Sequence, residues 1–213
     1  MNIFIIFSIT FAYVFLGNGL SNANPLPYEA IFNFGDSISD TGNAATNHPT
    51  MPSNSPYGST YFKHPSVRLS NGRLILDFIV EAYGLPMLQT YLNLTDGQDI
   101  KKGVNFAYAG STALDQTILK QKSINVDAAA YSLRFSSGKL ETFKACCGKG
   151  EPYGLSAQFP CGSFSATVCS DPSKHINWDG PHFTEAAYRL IAKGLVEGPI
   201  ANPSMKSPHF KIV

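Results

Sequence analysis

Two apolar, β-rich segments each run directly into a turn of small residues, and that order restricts the fold more than any other feature. Glu29 to Phe34 reads as a strand that enters the turn Gly35-Asp36-Ser37, after which Ser39-Asp40 can cap a short helix. Val104 to Ala107 reads as a second strand that enters Ala109-Gly110-Ser111-Thr112. Between them Leu74 to Tyr83 has helical periodicity, with Leu74, Ile75, Phe78, Ile79 and Ala82 on one apolar face. Strands alternating with helices predict an α/β layer fold built on a parallel sheet. Such sheets bind ligands at the carboxyl ends of their strands. Ser37 and Gly110 both follow candidate strands, so this topology can bring them to one sheet edge.

The rest of the chain fits that plan. Asn47 to Thr60 is dense in Pro, Ser, Asn and Gly and reads as a loop. Gly84-Leu85-Pro86 ends the first long helix, and Gln89 to Lys101 is polar and expected to be exposed. Ile124 to Asp127 is a candidate third strand, followed by helical Ala128 to Phe135. Cys146 to Asp171 is rich in Gly, Pro and Ser and reads as a disulfide-tied loop region. Thr184 to Val196 is the last helix, with Thr184 at its start and Ala187, Leu190, Ile191 and Leu195 on one side. There is no internal repeat.

A chain of 213 residues buries one ordinary core and reads as one domain. Its net charge of +1 comes with no basic stripe and no acidic tail, which argues against nucleic acid as a partner. Ile3 to Leu16 is almost wholly apolar, and Ser21-Asn22-Ala23 offers small residues where a signal peptidase cuts. The run falls short of the about 20 apolar residues a membrane span needs. The reading is a signal peptide over 1–23, a single domain over 24–213, entry to the secretory route, and no stable membrane span after cleavage.

Two further features agree with an oxidising, extracellular destination. Asn93-Leu94-Thr95 is a glycosylation sequon. All four cysteines, Cys146, Cys147, Cys161 and Cys169, fall in one late segment and imply two disulfides. Three connectivities are open. A bridge between adjacent Cys146 and Cys147 is strained, which favours pairing each with Cys161 or Cys169. No Cys-x-x-Cys and no zinc-finger histidine spacing is present, so no metal is expected.

The chemistry lies at the two ends. Ser37 is a candidate nucleophile, and a serine hydroxyl needs a base to take its proton. Asp179-Gly180-Pro181-His182 supplies a candidate acid and base on one tight loop. A carboxylate so placed fixes the histidine tautomer and stabilises its positive charge. The other histidines, His48, His64, His175 and His209, sit in Pro-rich or polar settings and read as surface residues.

The string Phe34-Gly35-Asp36-Ser37-Ile38-Ser39-Asp40-Thr41-Gly42-Asn43 resembles the first block of the GDSL, or SGNH, esterases and lipases, above all their secreted plant branch. Asn177-Trp178-Asp179-Gly180-Pro181-His182-Phe183-Thr184-Glu185-Ala186-Ala187 resembles the last block, and Gly103 to Gly110 the second. The stretch from Ser55-Pro56-Tyr57-Gly58 through Arg73 to Phe78 is similar to the same branch and reads as scaffold, with Arg73 and Asp77 as a candidate pair. The resemblance implies a three-layer α/β/α, flavodoxin-like sheet and hydrolysis of small-molecule carboxylic esters without a cofactor. It also implies an oxyanion hole from the amides of Ser37 and Gly110 and an asparagine side chain of a third block.

That third block, Gly-x-Asn-Asp, is absent from the chain. Segments that follow it in relatives resume soon after Asp115, which puts the junction near 117–123. Loss of one oxyanion donor costs a serine hydrolase about 10²–10³ in turnover. Asn105 or Asn125 could take its place, but nothing in the sequence argues for either. The missing piece would also hold a central strand, leaving the first strand with an open edge. Two expectations follow: an esterase acting through Ser37, His182 and Asp179, or a shortened, catalytically impaired secreted protein that at most binds a ligand.

Overall fold

The computed structural model describes residues 28–47, 54–112, 144–198, and the single residues 121, 201 and 205. The expected strand over 124–127 and helix over 128–135, along with Asn125 and the leader, lie outside them. Strand β1 (Ile31–Asn33) is followed by the short helix α1 (Asn43–Asn47) and then α2 (Ile75–Ala82). Strands β2 (Gln89–Thr90) and β3 (Gly103–Asn105) come next, then β4 (Cys147–Gly148), β5 (Thr167–Val168) and the last helix α3 (Glu185–Val196).

The α/β expectation holds. Strands β1, β3 and β2 form a parallel sheet in that order, with Ile31, Phe32 and Asn33 opposite Gly103, Val104 and Asn105. The sheet is small, and among the described residues β1 has a neighbour on one side only. The sequence reading left Gln89 and Thr90 in a polar exposed stretch, yet they pair with Val104 and Asn105. Two residues without apolar alternation carry no period to detect. Gly103 admits β1 to the sheet: its φ is +117°, and a Cβ there would lie 1.7 Å from the Ile31 carbonyl oxygen.

Helix α2 is the centre of the core and is buried on two sides. Leu74, Phe78 and Ala82, four residues apart, pack on Tyr188, Ala192 and Val196 of α3. Leu76, Val80 and Tyr83 face the other way with Leu85 and Leu88, where Ile31 of β1 joins them. The single face expected for this helix is therefore incomplete. Ile75 and Ile79 are only partly buried, because the helix lies between α3 and the sheet. The inward row of α3 is also rotated from expectation: Leu190 is 62 % exposed and Tyr188 is buried, its ring edge-on to Phe183 at 5.5 Å.

Polar contacts fix the helix ends. Leu74 precedes α2 with no capping side chain of its own, and its amide donates to Asp77 Oδ2 at 2.9 Å. Arg68, not Arg73, pairs with Asp77, through Nε and Nη2 at 2.8 and 2.9 Å. Arg73 instead reaches Glu81 and Glu185 and lies over the Tyr61 and Phe78 rings, joining α2 to the start of α3. A two-pronged guanidinium can serve both carboxylates, which makes Arg73 a bridge between helices. Thr184 caps α3 as expected, accepting from the Ala187 amide at 3.2 Å.

Candidate active site

The turn after β1 is built around Asp40. Its carboxylate accepts the amides of Gly42 and Asn43 on Oδ1 and of Ala44 and Ala109 on Oδ2, between 2.6 and 3.0 Å. Three of these are donors at the start of α1, so Asp40 acts as the cap expected there. The fourth joins the turn carrying Ser37 to the turn carrying Gly110. Tyr108 adds a backbone bond to the Gly35 carbonyl at 3.0 Å. Ser37 is half-buried, and Gly110 is exposed at φ +87° with nothing within 4 Å of a Cβ position. The structure thus brings the first and second blocks to one sheet edge, as their placement after strands predicts.

Asn105 is buried and fully engaged. Its side-chain amide donates to the Ser39 carbonyl and the Thr41 hydroxyl, and its Oδ1 accepts from Asn33 Nδ2 and the Ala107 amide. A primary amide has two protons to give, and both are used. Asn105 is therefore a fastener of the Ser37 turn, and the idea that it replaces the missing oxyanion donor is set aside.

The acid–base loop is held from three directions. Trp178 and Asn177 offer their carbonyls to the amides of Cys147 and Cys146, at 2.7 and 3.0 Å. The Trp178 amide donates across the loop to the His182 carbonyl at 2.8 Å, and Asn177 bridges to Phe183. Gly180 takes φ +108° at the bend, where its amide donates to Asn177 Oδ1. The loop closes Asp179 on His182: Nδ1 lies 2.8 and 2.9 Å from the two carboxylate oxygens, and the His182 amide donates to Oδ1 at 3.0 Å. With Nδ1 facing a carboxylate, the hydrogen-bond network assigns the proton to Nδ1 and leaves Nε2 as the basic atom. Nε2 is buried and has no hydrogen-bond partner among the described residues.

The residues next to Ser37 and His182 share one cluster. Ile38 and Phe183, each next in the chain, pack against the same α2–α3 cluster. Burial pushes the Tyr188 hydroxyl well above the ordinary tyrosine range; the hydrogen bond from the Phe183 amide pulls it back, and the charges of Asp179 and then Asp36 add smaller upward pushes. Both carboxylates thus act on one phenol. No hydrogen bond joins Ser37 to Nε2. In enzymes without substrate such bonds are often long and tighten only in the complex.

The disulfides are Cys146–Cys169 and Cys147–Cys161, within the pairings that the sequence favours. They hold β4 against antiparallel β5 and, through the Cys146 and Cys147 amides, under the acid–base loop. His175 lies close to Cys146 and Cys169, whose sulfurs are bonded to each other and so offer no thiolate. Its Nδ1 meets the Asp171 carbonyl at 3.0 Å. Asn93 is exposed in a single 3₁₀ turn, Tyr91–Asn93, beside the end of β2.

Sequence reasoning missed one neighbour of the site. The Tyr57 hydroxyl donates to Asp179 Oδ2 at 2.6 Å, across 122 residues of chain. The signal was an aromatic residue set among Ser, Pro and Gly in a stretch otherwise read as loop.

The GDSL-like lipase/acylhydrolase family model matches residues 31–135. GDSL esterase/lipase At5g45910 of Arabidopsis thaliana is 42 % identical, covering 96 % of this chain and 100 % of the relative. The chain belongs to the GDSL-like lipase/acylhydrolase family. GDSL esterase/lipase At1g28610 of Arabidopsis thaliana is 26 % identical, over 83 % of this chain and 88 % of its own length. Sinapine esterase of Brassica napus is 45 % identical over 55 % of this chain and 30 % of its own length. No solved structure matches. The alignment to the first of these relatives runs over 370 positions, against 213 residues here, so this GDSL chain is a shortened member. Family membership places it among the carboxylic ester hydrolases of α/β fold, with an incomplete parallel sheet among the described residues.

Proposed function

We propose that this chain is a secreted esterase in which Ser37 is the nucleophile, His182 the general base and Asp179 its orienting acid. The observation that carries the reading is the buried Asp179–His182 pair, its Nε2 unpartnered, sharing one helical cluster with the Ser37 turn. Nε2 takes the Ser37 proton as Oγ attacks the ester carbonyl, and returns it to the departing alcohol. Water, activated in the same way, then releases the acid from the acyl-serine. The amides of Ser37 and Gly110, which have no acceptor among the described residues, serve as oxyanion donors. The relatives suggest small esters of specialised metabolites as substrates, with sinapine first to be tried.

Secretion is supported by the apolar run over 3–16, the two disulfides and the exposed Asn93 sequon. Among the described residues no helix is long and apolar enough to cross a membrane.

A second reading, a catalytically impaired family member, is favoured by one observation: both amide protons of Asn105 are committed within the fold, so it does not replace the third donor. Hydrolysis of a short-chain nitrophenyl ester by the purified protein, beside Ser37→Ala, separates the two. Turnover that disappears in Ser37→Ala supports the esterase. Equal background rates from a folded protein overturn it.

A further inference from the structure

Tyr57 stands apart from the Ser37, Gly110 and Asp179–His182 segments, in a stretch that otherwise reads as scaffold. Its ring is nearly buried in a cluster with Trp178, Cys146 and Cys147, edge-on to Trp178 at 6.0 Å. The backbone around it is fixed by a bond from the Ser66 amide to the Tyr57 carbonyl at 2.9 Å. The hydroxyl therefore has little freedom, and it is aimed at Asp179 Oδ2, 2.6 Å away. That length belongs to hydrogen bonds from a hydroxyl to a charged oxygen. His182 Nδ1 lies 2.8 Å from the same oxygen. One carboxylate oxygen is thus shared by the phenol and the imidazole.

We propose that Tyr57 is a positioning residue of the Asp179–His182 pair, holding the carboxylate in the orientation Nδ1–H requires and drawing off part of its charge. The inference rests on the reading of Asp179 and His182 as the proton-transfer pair. A carboxylate that already accepts a strong bond from a neutral donor stabilises a neighbouring imidazolium less. Tyr57 thereby sets how readily Nε2 gives up a proton after taking it. The phenol stays neutral for this task, since burial, with the Asp179 charge second, pushes it far above the ordinary tyrosine range. Tyr188 of α3 feels the charge of Asp179 and that of Asp36 in the Ser37 turn. Neither Tyr188 nor Asp36 makes a hydrogen bond to Asp179 or His182 among the described residues.

The test has two readouts. Tyr57→Phe keeps the ring against Trp178 and removes the donor. The expected result is a fall in kcat of about tenfold with KM little changed. The acidic limb of the pH–rate profile should move to higher pH, because the undiluted carboxylate charge favours the imidazolium. Independently of turnover, the His182 ring signals followed by NMR in a Ser37→Ala background should titrate with a higher midpoint when Tyr57→Phe is added. Site-specific replacement of Tyr57 by 3-fluorotyrosine strengthens the donor without altering the packing, and should move that midpoint the other way. An unchanged midpoint in both variants, with only thermal stability affected, overturns the inference and leaves Tyr57 as a packing residue. Moved midpoints in a protein that lacks Ser37-dependent hydrolysis would uphold the Tyr57 coupling and overturn the esterase reading instead.

Discussion

Asp40 Oδ2 accepts the Ala109 amide at 2.8 Å and so binds the turn of Ser37 to the turn of Gly110. The same carboxylate takes three amides at the start of α1, and it is buried. One side chain thus caps a helix and sets the spacing of the two proposed oxyanion donors.

Asp40→Ala should therefore cost more than an ordinary cap. Cap removal costs about 1 kcal/mol, and each further buried amide left without an acceptor about 1–3 kcal/mol. We expect a loss of about 2–4 kcal/mol in urea unfolding. Under conditions where the variant is folded, its kcat should also fall, since the Tyr108–Gly35 backbone bond and the Asn43–Ala107 bond hold the two turns without the direct tie to Ala109. A stability loss below about 1 kcal/mol would contradict this account.

Asn105→Ala separates scaffold from catalysis. It strands the Ala107 amide, leaves Asn33 Nδ2 with the Ser39 hydroxyl alone, and deprives the Ser39 carbonyl and Thr41 hydroxyl of a donor. Stability should drop by about 2–3 kcal/mol. Turnover per folded molecule should fall far less than the about 10²–10³ lost with an oxyanion donor. Single-turnover kinetics at a temperature where both proteins are folded gives the comparison.

Alkaline pH should unfold the protein early. Tyr57 and Tyr188 hold their protons in the folded state well above the unfolded value of 10.0, chiefly because they are buried. A group raised on folding contributes stability fully below its unfolded value. That contribution is lost as pH rises further, because the unfolded chain releases the proton first. Stability against urea should thus decline from about pH 10 upward. Tyr188→Phe should flatten that decline, and an equal slope in the variant would contradict the assignment.

Reduction of the disulfides should damage the acid–base loop as well as overall stability. Cys146–Cys169 and Cys147–Cys161 span 23 and 14 residues, and bridges of such spans stabilise by about 3 kcal/mol each. Their strand carries the amides that hold Asn177 and Trp178. The paired change Cys147→Ser and Cys161→Ser should lower the unfolding midpoint. In the fraction that remains folded it should lower kcat while leaving α2 and α3 helical by circular dichroism.

The sequence made some of this legible and hid the rest for physical reasons. Asp179 and His182 are three residues apart on a loop bent at Gly180, so their pairing is a local property. Strands β1 and β3 were readable because β-branched and aromatic residues lead into Gly-rich turns. Strand β2 was not, since Gln89 and Thr90 are set by their neighbour Val104 and not by a pattern of their own. The Arg68–Asp77 pair displaced the expected Arg73–Asp77 pair because Arg73 lies against the rings of Tyr61 and Phe78, where both Glu81 and Glu185 are in reach. Tyr57 reaches Asp179 only through the folded chain, and no spacing in a single sequence encodes that.

Gly103 carries a consequence for inheritance. Every other amino acid adds a Cβ, and here that atom meets the Ile31 carbonyl oxygen at 1.7 Å on a backbone with φ +117°. No missense change at this codon is conservative while β1 and β3 stay paired. Any other residue at this position must displace the Ile31 backbone, at the start of the strand that leads into the Ser37 turn.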